Sequence, residues 1–351
     1  MLIISIISVL SLAACSVGFE GGSSSQGSVG GSGGSGTLRL GYFANLTHAT
    51  ALVGVGKGFL QQKLGATRLV TTIFDSGPEE ISALLGGSID AAYVGPSPAV
   101  NGFVKSHGQG LRIIAGAATG GAELVVAKSI TTIAQLKGAT LATPQLGNTQ
   151  DVALRYFLSK HGLNAAIDGR SAVTVEPTPN STTLTLFAEG RLSGGWLPEP
   201  YASELVAEGG HVLVDERSLW PGGLFTTTDL VVSTSYLAAH AQAVADLLQG
   251  QLTANAWIAA EPAAAEAAVN QQLEKLTGKA LKPAVLARAW NELAVTNDPL
   301  AATLQTEEQH AVAVGLLKSA DLAGILDLAP LNAALKAAGR PPVAADGLGT
   351  E

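Results

Sequence analysis

Residues 142–151, Ala-Thr-Pro-Gln-Leu-Gly-Asn-Thr-Gln-Asp, combine side chains suited to holding an anion. They follow a short apolar run, residues 139–142, and open a helical pattern reaching about Lys160. The first amides of a helix lack an internal partner and carry the positive end of its dipole, so such a start seats anions. Gly147 lets the backbone come close, Asn148 or Thr149 can cap, and Thr149 and Gln150 add neutral donors. Other expected loops carry the same ingredients: Asn45, Thr47 and His48; Ser76 and Gly77; Gly95 and Ser97; then Gly120, Gly121, Gln145 and Thr227. No Lys or Arg lies within these loops. A sulfonate or nitrate is fully ionised and has no proton to give, so a site of donors suits it better than it suits a protonated phosphonate. Asp75, Asp151 and Glu199 are the acids nearby in sequence.

Catalytic chemistry finds less support. There is no Gly-x-Ser-x-Gly elbow, no Walker loop and no dinucleotide fingerprint. The six histidines, His48, His107, His161, His211, His240 and His310, show no metal-ligand spacing. No catalytic set, metal site or cofactor is expected. His48 is placed to donate one hydrogen bond, or to be a plain polar loop residue. Trp196 fits either a wall against an organic tail or a core position on a strand. Glu199, in the rigid Pro198-Glu199-Pro200 turn, either touches ligand or latches two lobes, the structural role being preferred.

These loops need a scaffold, and the totals permit one. The 351 residues are 47% hydrophobic and 14% charged, which suits a well-buried α/β protein of two lobes. A net charge of −8 argues against a nucleic-acid partner. The single cysteine, Cys15, precludes an internal disulfide. It follows an apolar run, residues 1–12, too short to span a bilayer as a helix. Leu12-Ala13-Ala14-Cys15 resembles a bacterial lipobox, although no basic residue precedes the run. That resemblance implies a signal peptide over residues 1–14 and a lipid on Cys15. Residues 15–36 then form a flexible Gly/Ser tether.

Strand and helix alternate from there: strands at 38–43, 69–74, 89–94, 111–117 and 123–127, with helices at 45–64, 78–85 and 95–106 between the first four. The plan recurs with the strands at 139–142 and 173–177, and with helices after each. Gly190-Arg191-Leu192-Ser193-Gly194-Gly195-Trp196-Leu197 matches Gly87-Ser88-Ile89-Asp90-Ala91-Ala92-Tyr93-Val94 in register, a weak internal repeat. The expected organisation is a first lobe over 37–125, a second over 126–225, and a return strand (229–233) with C-terminal helices on the first lobe over 226–345. Helices are expected from the 240s to 260 and over 263–276, 283–289 and 307–317, with the tail after Pro341 frayed.

Several stretches together resemble the solute-binding components of ABC importers for aliphatic sulfonates, taurine and nitrate, a group that includes binders of thiamine-precursor pyrimidines. They are Gly41 through Ala49, Ser76-Gly77-Pro78, Ile89 through Ala99, residues 142–151, Trp196-Leu197-Pro198-Glu199-Pro200 and Leu219-Trp220-Pro221. The resemblance implies a two-lobed periplasmic binding protein fold (type II), each lobe a mostly parallel sheet flanked by helices. It also implies a small anionic ligand, hinge closure, no chemistry on the ligand, and delivery to a membrane permease driven by a cytoplasmic ATPase. A lipid-anchored extracytoplasmic monomer is the expected form. Ser193 stands where the family usually has an acid, and Glu199 is the candidate partner for the ammonium of taurine. Nitrate or a pyrimidine is the alternative ligand. An enzyme on the same fold, dependent on His48, is the alternative of another class.

Overall fold

The computed structural model describes residues 36–167, 171–318 and 321–351. The expected signal peptide, Cys15 and the tether up to residue 35 lie outside the described residues. The chain enters as β1 (Thr37–Phe43), which passes through a 3-10 turn, Leu46–His48, into α1 (Ala49–Gly56) and α2 (Phe59–Leu64). One helix is expected over this stretch. Gly58 splits it, because its left-handed φ of 74° cannot continue a right-handed helix. Then come β2 (Arg68–Phe74), α3 (Gly77–Leu85), β3 (Ala91–Val94), α4 (Pro96–Lys105), β4 (Leu111–Gly120) and β5 (Ala122–Ala127). Prolines in the first turns of α3 and α4 start these helices at no hydrogen-bond cost, since those amides would be unpaired anyway.

The plan then repeats: β6 (Thr140–Thr143), α5 (Thr149–Lys160), β7 (Thr174–Pro177), α6 (Asn180–Ala188), β8 (Gly194–Pro198), α7 (Tyr201–Ala207) and β9 (Gly210–Asp215). Two 3-10 turns lead into β10 (Thr226–Ser233), followed by α8 (Thr234–Ala239), α9 (Ala241–Ala260), α10 (Pro262–Thr277) and α11 (Pro283–Asn291). The chain ends with β11 (Leu293–Val295), α12 (Ala301–Ala313), β12 (Leu326–Asp327), α13 (Ala329–Ala337) and β13 (Gly349–Thr350).

Two sheets result. The first has the order β13-β12-β4-β10-β3-β1-β2, with β11 added on β4; the second is β7-β6-β8-β5-β9. Strand direction is mostly uniform in both. In the first, β10 and β11 run against the rest. In the second, β5 alone does so. The sheets are built alike: β2-β1-β3-β10-β4 answers β7-β6-β8-β5-β9 strand for strand, which gives the weak sequence repeat a structural counterpart. β10 in the first sheet and β5 in the second are the strands on which the chain arrives from the other sheet. The expected first segment ends at 125, but β5 pairs with β8 and β9 and lies wholly in the second sheet. The crossing therefore falls at Gly120–Gly121, where both residues take φ near 75°.

The main core lies around the first sheet and includes α1, α4, α9 and α13. A second core, with Leu154, Phe157, Trp196 and Phe225, fills one face of the second sheet. α9 is tied to α1 and to β4 by buried polar bonds: Thr50 Oγ1 of α1 donates to Asn255 Oδ1 at 2.7 Å, and Gln251 Nε2 donates to the Gly116 carbonyl of β4 at 2.8 Å. The C-terminal part differs most from expectation. α12 begins six residues earlier than the expected start at 307, after the turn in which Asp298 Oδ1 accepts from the Leu300 amide. α13, β11, β12 and β13 have no counterpart among the expected elements. The tail after Pro341 is ordered rather than frayed: Ala345 and Leu348 are buried and β13 pairs in parallel with β12. Two-residue strands carry no periodicity, so only their long-range partners define them.

Candidate functional site

The starts of α5, α4 and α3 meet where the two sheets face each other. Gly95, just before α4, lies against the Thr149 hydroxyl: a Cβ placed on it would stand 2.5 Å from Thr149 Oγ1. A Cβ on Gly77 would meet Pro98 at 2.4 Å and Asn148 Oδ1 at 3.1 Å. Two glycines thus permit the close approach of helix starts from opposite sides. The cleft between them is lined by Phe43, Asn45, Thr47, His48, Asp75, Gly95 and Thr227 on one side and by Asn148, Thr149, Gln150, Asn180 and Pro198 on the other. Its enclosed volume is about 20 Å³, room for a single water-sized group. A larger solute enters only when the facing helix starts separate. A much larger hollow, about 520 Å³, lies between α6, α7 and residues 279–285 and contains none of the expected site residues.

The loop ahead of α5 is held from behind. Asp151, fully buried, accepts from Thr143 Oγ1 at 2.9 Å, from the Gly147 amide at 2.9 Å and from Arg155 Nε at 3.0 Å. Gly147 takes φ 77°, which turns the chain into the helix. Asn148 is the N-cap, but its side chain makes no capping bond; Nδ2 donates instead to Gln150 Oε1 at 3.2 Å. Thr149 Oγ1 is buried without a partner, as are Asn180 Oδ1 and Gln145 Oε1.

Eight of the expected residues line this cleft: Asn45, Thr47, His48, Gly95, Asn148, Thr149, Gln150 and Thr227. Ser76 stands at the N-cap position of α3 beside it, with no side-chain capping bond, and Gly77 packs against Pro98 at its edge. Gln145 lies one turn earlier, its carbonyl accepting from the Asn148 amide. The others serve elsewhere. Ser97 Oγ donates to Glu307 Oε2 at 3.0 Å, joining α4 to α12. Gly120 and Gly121 form the crossing: the Gly121 amide bonds the Glu292 carbonyl at 2.8 Å, and Thr227 Oγ1 bonds the Gly120 carbonyl. Trp196 is fully buried in the second core, its Nε1 donating to Glu216 Oε2 at 2.7 Å, so it offers no wall to a ligand tail.

Glu199 is likewise outside the cleft. Its carboxylate accepts from the Ser203 amide and hydroxyl and from Arg288 Nη1 at 2.9 Å. Arg288, on α11, also reaches Glu123 Oε2 at 2.6 Å, so one guanidinium bridges the C-terminal helices to two acids of the second sheet. The latching role is therefore the one its contacts support. Burial, helped by the neighbouring Glu123, pushes the Glu199 carboxyl up to about 7 against the pull of Ser203 and Arg288. His48 faces the wall. Its Nε2 donates to the Tyr93 carbonyl at 3.0 Å, Nδ1 sits 3.2 Å from Thr47 Oγ1, and the ring stacks on Phe43. Burial holds it neutral, its pKa lowered to about 3 despite the Tyr93 carbonyl. Both ring nitrogens are engaged, so the expected hydrogen bond to a ligand has no free atom to come from.

Four lining residues were absent from the expected set: Phe43, Asp75, Asn180 and Pro198. The repeat points to two of them. The spacing that relates Gly87 to Gly190 also carries Gly77 to Asn180 and Gly95 to Pro198. Asp75 is the sole formally charged residue among the described residues lining the cleft.

Two like-built α/β sheets, joined by two crossings and facing each other over a small polar cleft, define the two-lobed periplasmic binding protein fold. The chain belongs to the NMT1-like family, whose model matches residues 32–272. The alkanesulfonate-binding protein SsuA of Xanthomonas axonopodis pv. citri, solved bound to MOPS, superposes with a TM-score of 0.67 at 22% identity, over 81% of this chain and 94% of that one. The nitrate-binding protein NrtA of Synechocystis PCC 6803 gives 0.69 at 16% identity, over 81% and 83%. A Brucella abortus (strain 2308) protein named only as a binding protein is 28% identical over 164 residues, 46% of this chain. That match spans about half the length of the relative, 48%.

Proposed function

We propose that this protein is the extracytoplasmic solute-binding component of an ABC importer and captures an aliphatic sulfonate between its two lobes. The observation that carries the reading is the cleft itself: helix starts from both lobes converge on it, and its lining offers neutral donors with no lysine or arginine. Family membership and the fold shared with sulfonate- and nitrate-binding proteins support the class. The lobes would comprise residues 37–120 with 226–351, and residues 122–225, hinged at Gly120–Gly121 and near Phe225. Closure buries the oxyanion against Thr149, Gln150 and the amides at the starts of α3 and α5. The loaded protein then delivers its solute unaltered to a membrane permease, tethered beside it through a lipid on Cys15.

Phe43, stacked on His48 at the cleft wall, favours a flat pyrimidine as the second reading. Calorimetric titration with alkanesulfonates, nitrate, sulfate and hydroxymethylpyrimidines separates them. Saturable sulfonate binding is expected. Tight pyrimidine binding with no response to any anion would sink the sulfonate reading.

A further inference from the structure

We infer that His310 is a positioning residue for solute capture: reaching from the first lobe into an aromatic seat on the second, outside the cleft, it sets how firmly the closed form is held. The inference rests on the reading of the molecule as a two-lobed clamp and adds to it a residue that does not line the cleft. His310 lies in the last turn of α12, a helix fixed to the first lobe by Ala301 and Leu304 in the main core and by the Ser97 bond to Glu307. Its ring stacks on Tyr156 of α5, with centroids 3.6 Å apart and planes 17° from parallel. The Trp220 ring stands 5.6 Å away, tilted by 47°, and stacks in turn on Phe225 just ahead of β10. Tyr156 and Trp220 belong to the second lobe: α5 is held there by Leu154, Phe157 and Leu158, and Trp220 packs on the same core.

The placement couples this contact to the cleft. Thr149 and Tyr156 are about two turns apart on α5 and therefore share a face. One face of one helix thus touches the first lobe twice: at its start, where Thr149 meets Gly95 ahead of α4, and two turns on, where Tyr156 meets α12. α4 and α12 are themselves joined through Ser97 and Glu307, so one movement of the lobes makes or breaks both contacts. Burial, with the charge of Lys160 adding to it, lowers the His310 pKa to about 4, so the ring stacks as an uncharged aromatic. His310, Tyr156 and Trp220 are only half-buried, and neither core depends on the stack between them. A stacked aromatic pair shifts a two-state population by about threefold to tenfold. The apparent affinity for a solute scales with the fraction of the protein that is closed, so losing the stack weakens binding by about that factor although His310 touches no solute.

The test compares the wild type with His310→Ala, His310→Phe and Tyr156→Ala on the full chain, by calorimetry with ethanesulfonate and by small-angle scattering without it. His310→Ala should bind about three- to tenfold more weakly, scatter as a more open particle before ligand is added, and melt near the wild type. His310→Phe puts a ring back and should return both affinity and scattering to wild-type values. Tyr156→Ala should match His310→Ala, and the two together should cost little more than either alone, because they remove one contact. Unchanged affinity in His310→Ala, or a loss that His310→Phe does not rescue, would overturn the role of the seat and leave the sulfonate reading intact. If the wild type binds no ethanesulfonate, the sulfonate reading falls and the ligand-free scattering decides the seat by itself: identical curves for the wild type and His310→Ala would overturn it.

Discussion

Thr149 and Gln150 are where affinity should be most sensitive to small changes. Thr149 Oγ1 has no partner in the protein, and Gln150 only accepts from its neighbour Asn148. Replacing both by Ala should therefore leave the melting temperature nearly unchanged and weaken anion binding by roughly tenfold or more, the worth of two neutral hydrogen bonds. Normal binding by the double variant in calorimetry would place the clamp elsewhere. Glu216 is a different case, a buried acid that serves the fold. Burial pushes its carboxyl up to about 7 from an ordinary value of 4.5, against the pull of the Trp196 and Trp220 indoles, and Asp215 adds to the rise. A raised acid pKa means that the folded state holds its proton longer than the unfolded chain. Stability should thus fall as pH rises from about 4.5 to about 7 and level off above. Glu216→Gln keeps an acceptor for Trp196 and should flatten that slope by on the order of 3 kcal/mol. Chemical denaturation at pH 5 and pH 8 reads the difference, and parallel curves for the two proteins would refute the assignment.

At the scale of elements, closure depends on how near α4 and α5 can come. Gly95 has φ −65° and ψ 152°, which any residue adopts, so its lack of a side chain matters for the neighbour rather than for its own backbone. The branched side chain of Gly95→Val should hold the helix starts apart through Thr149 without disturbing the first sheet. Small-angle scattering should show the variant failing to contract with ligand, while its melting temperature without ligand stays near wild type. Contraction like that of the wild type would mean that the lobes meet elsewhere. The elements themselves were unevenly legible. The βα units could be read because each carries its own punctuation: Pro78 and Pro96 stand in the opening turns of helices, Gly86-Gly87 closes one, and alternation marks the strands. The last three strands were missed because long-range pairing defines them. α12 was shifted because its start depends on the turn at Asp298, not on a cap in the apolar pattern.

For the whole molecule, Arg288 is the joint between its parts. It bonds Glu123 on β5, Glu199 just after β8 and Ser203 on α7 from a helix that packs beside the first sheet. Arg288→Ala leaves two buried carboxylates without their cation and should destabilise the protein by about 3 kcal/mol, read as a lower urea midpoint at unchanged slope. Because Glu199 titrates near 7, the loss should be larger at pH 8, where the acid is charged, than at pH 5, where a proton can replace the lost cation. A loss independent of pH would show that packing rather than charge is at stake.

The features legible along the chain are local: the helix starts and their neutral donors, the punctuation of the βα units, and a family likeness spread over many short stretches. Those features depend on neighbours in the chain, whose geometry follows from φ, ψ and hydrogen-bond valence. Tertiary structure decided which donors share one cleft. It turned Trp196 into the core, spent both nitrogens of His48, gave Glu199 to Arg288, placed β5 in the second sheet and brought Asp75 and Asn180 to the lining. A side chain's direction and its competing partners come from residues far away in the chain. Residue type states which bonds a group can make, and only the packed fold decides which of them are already made.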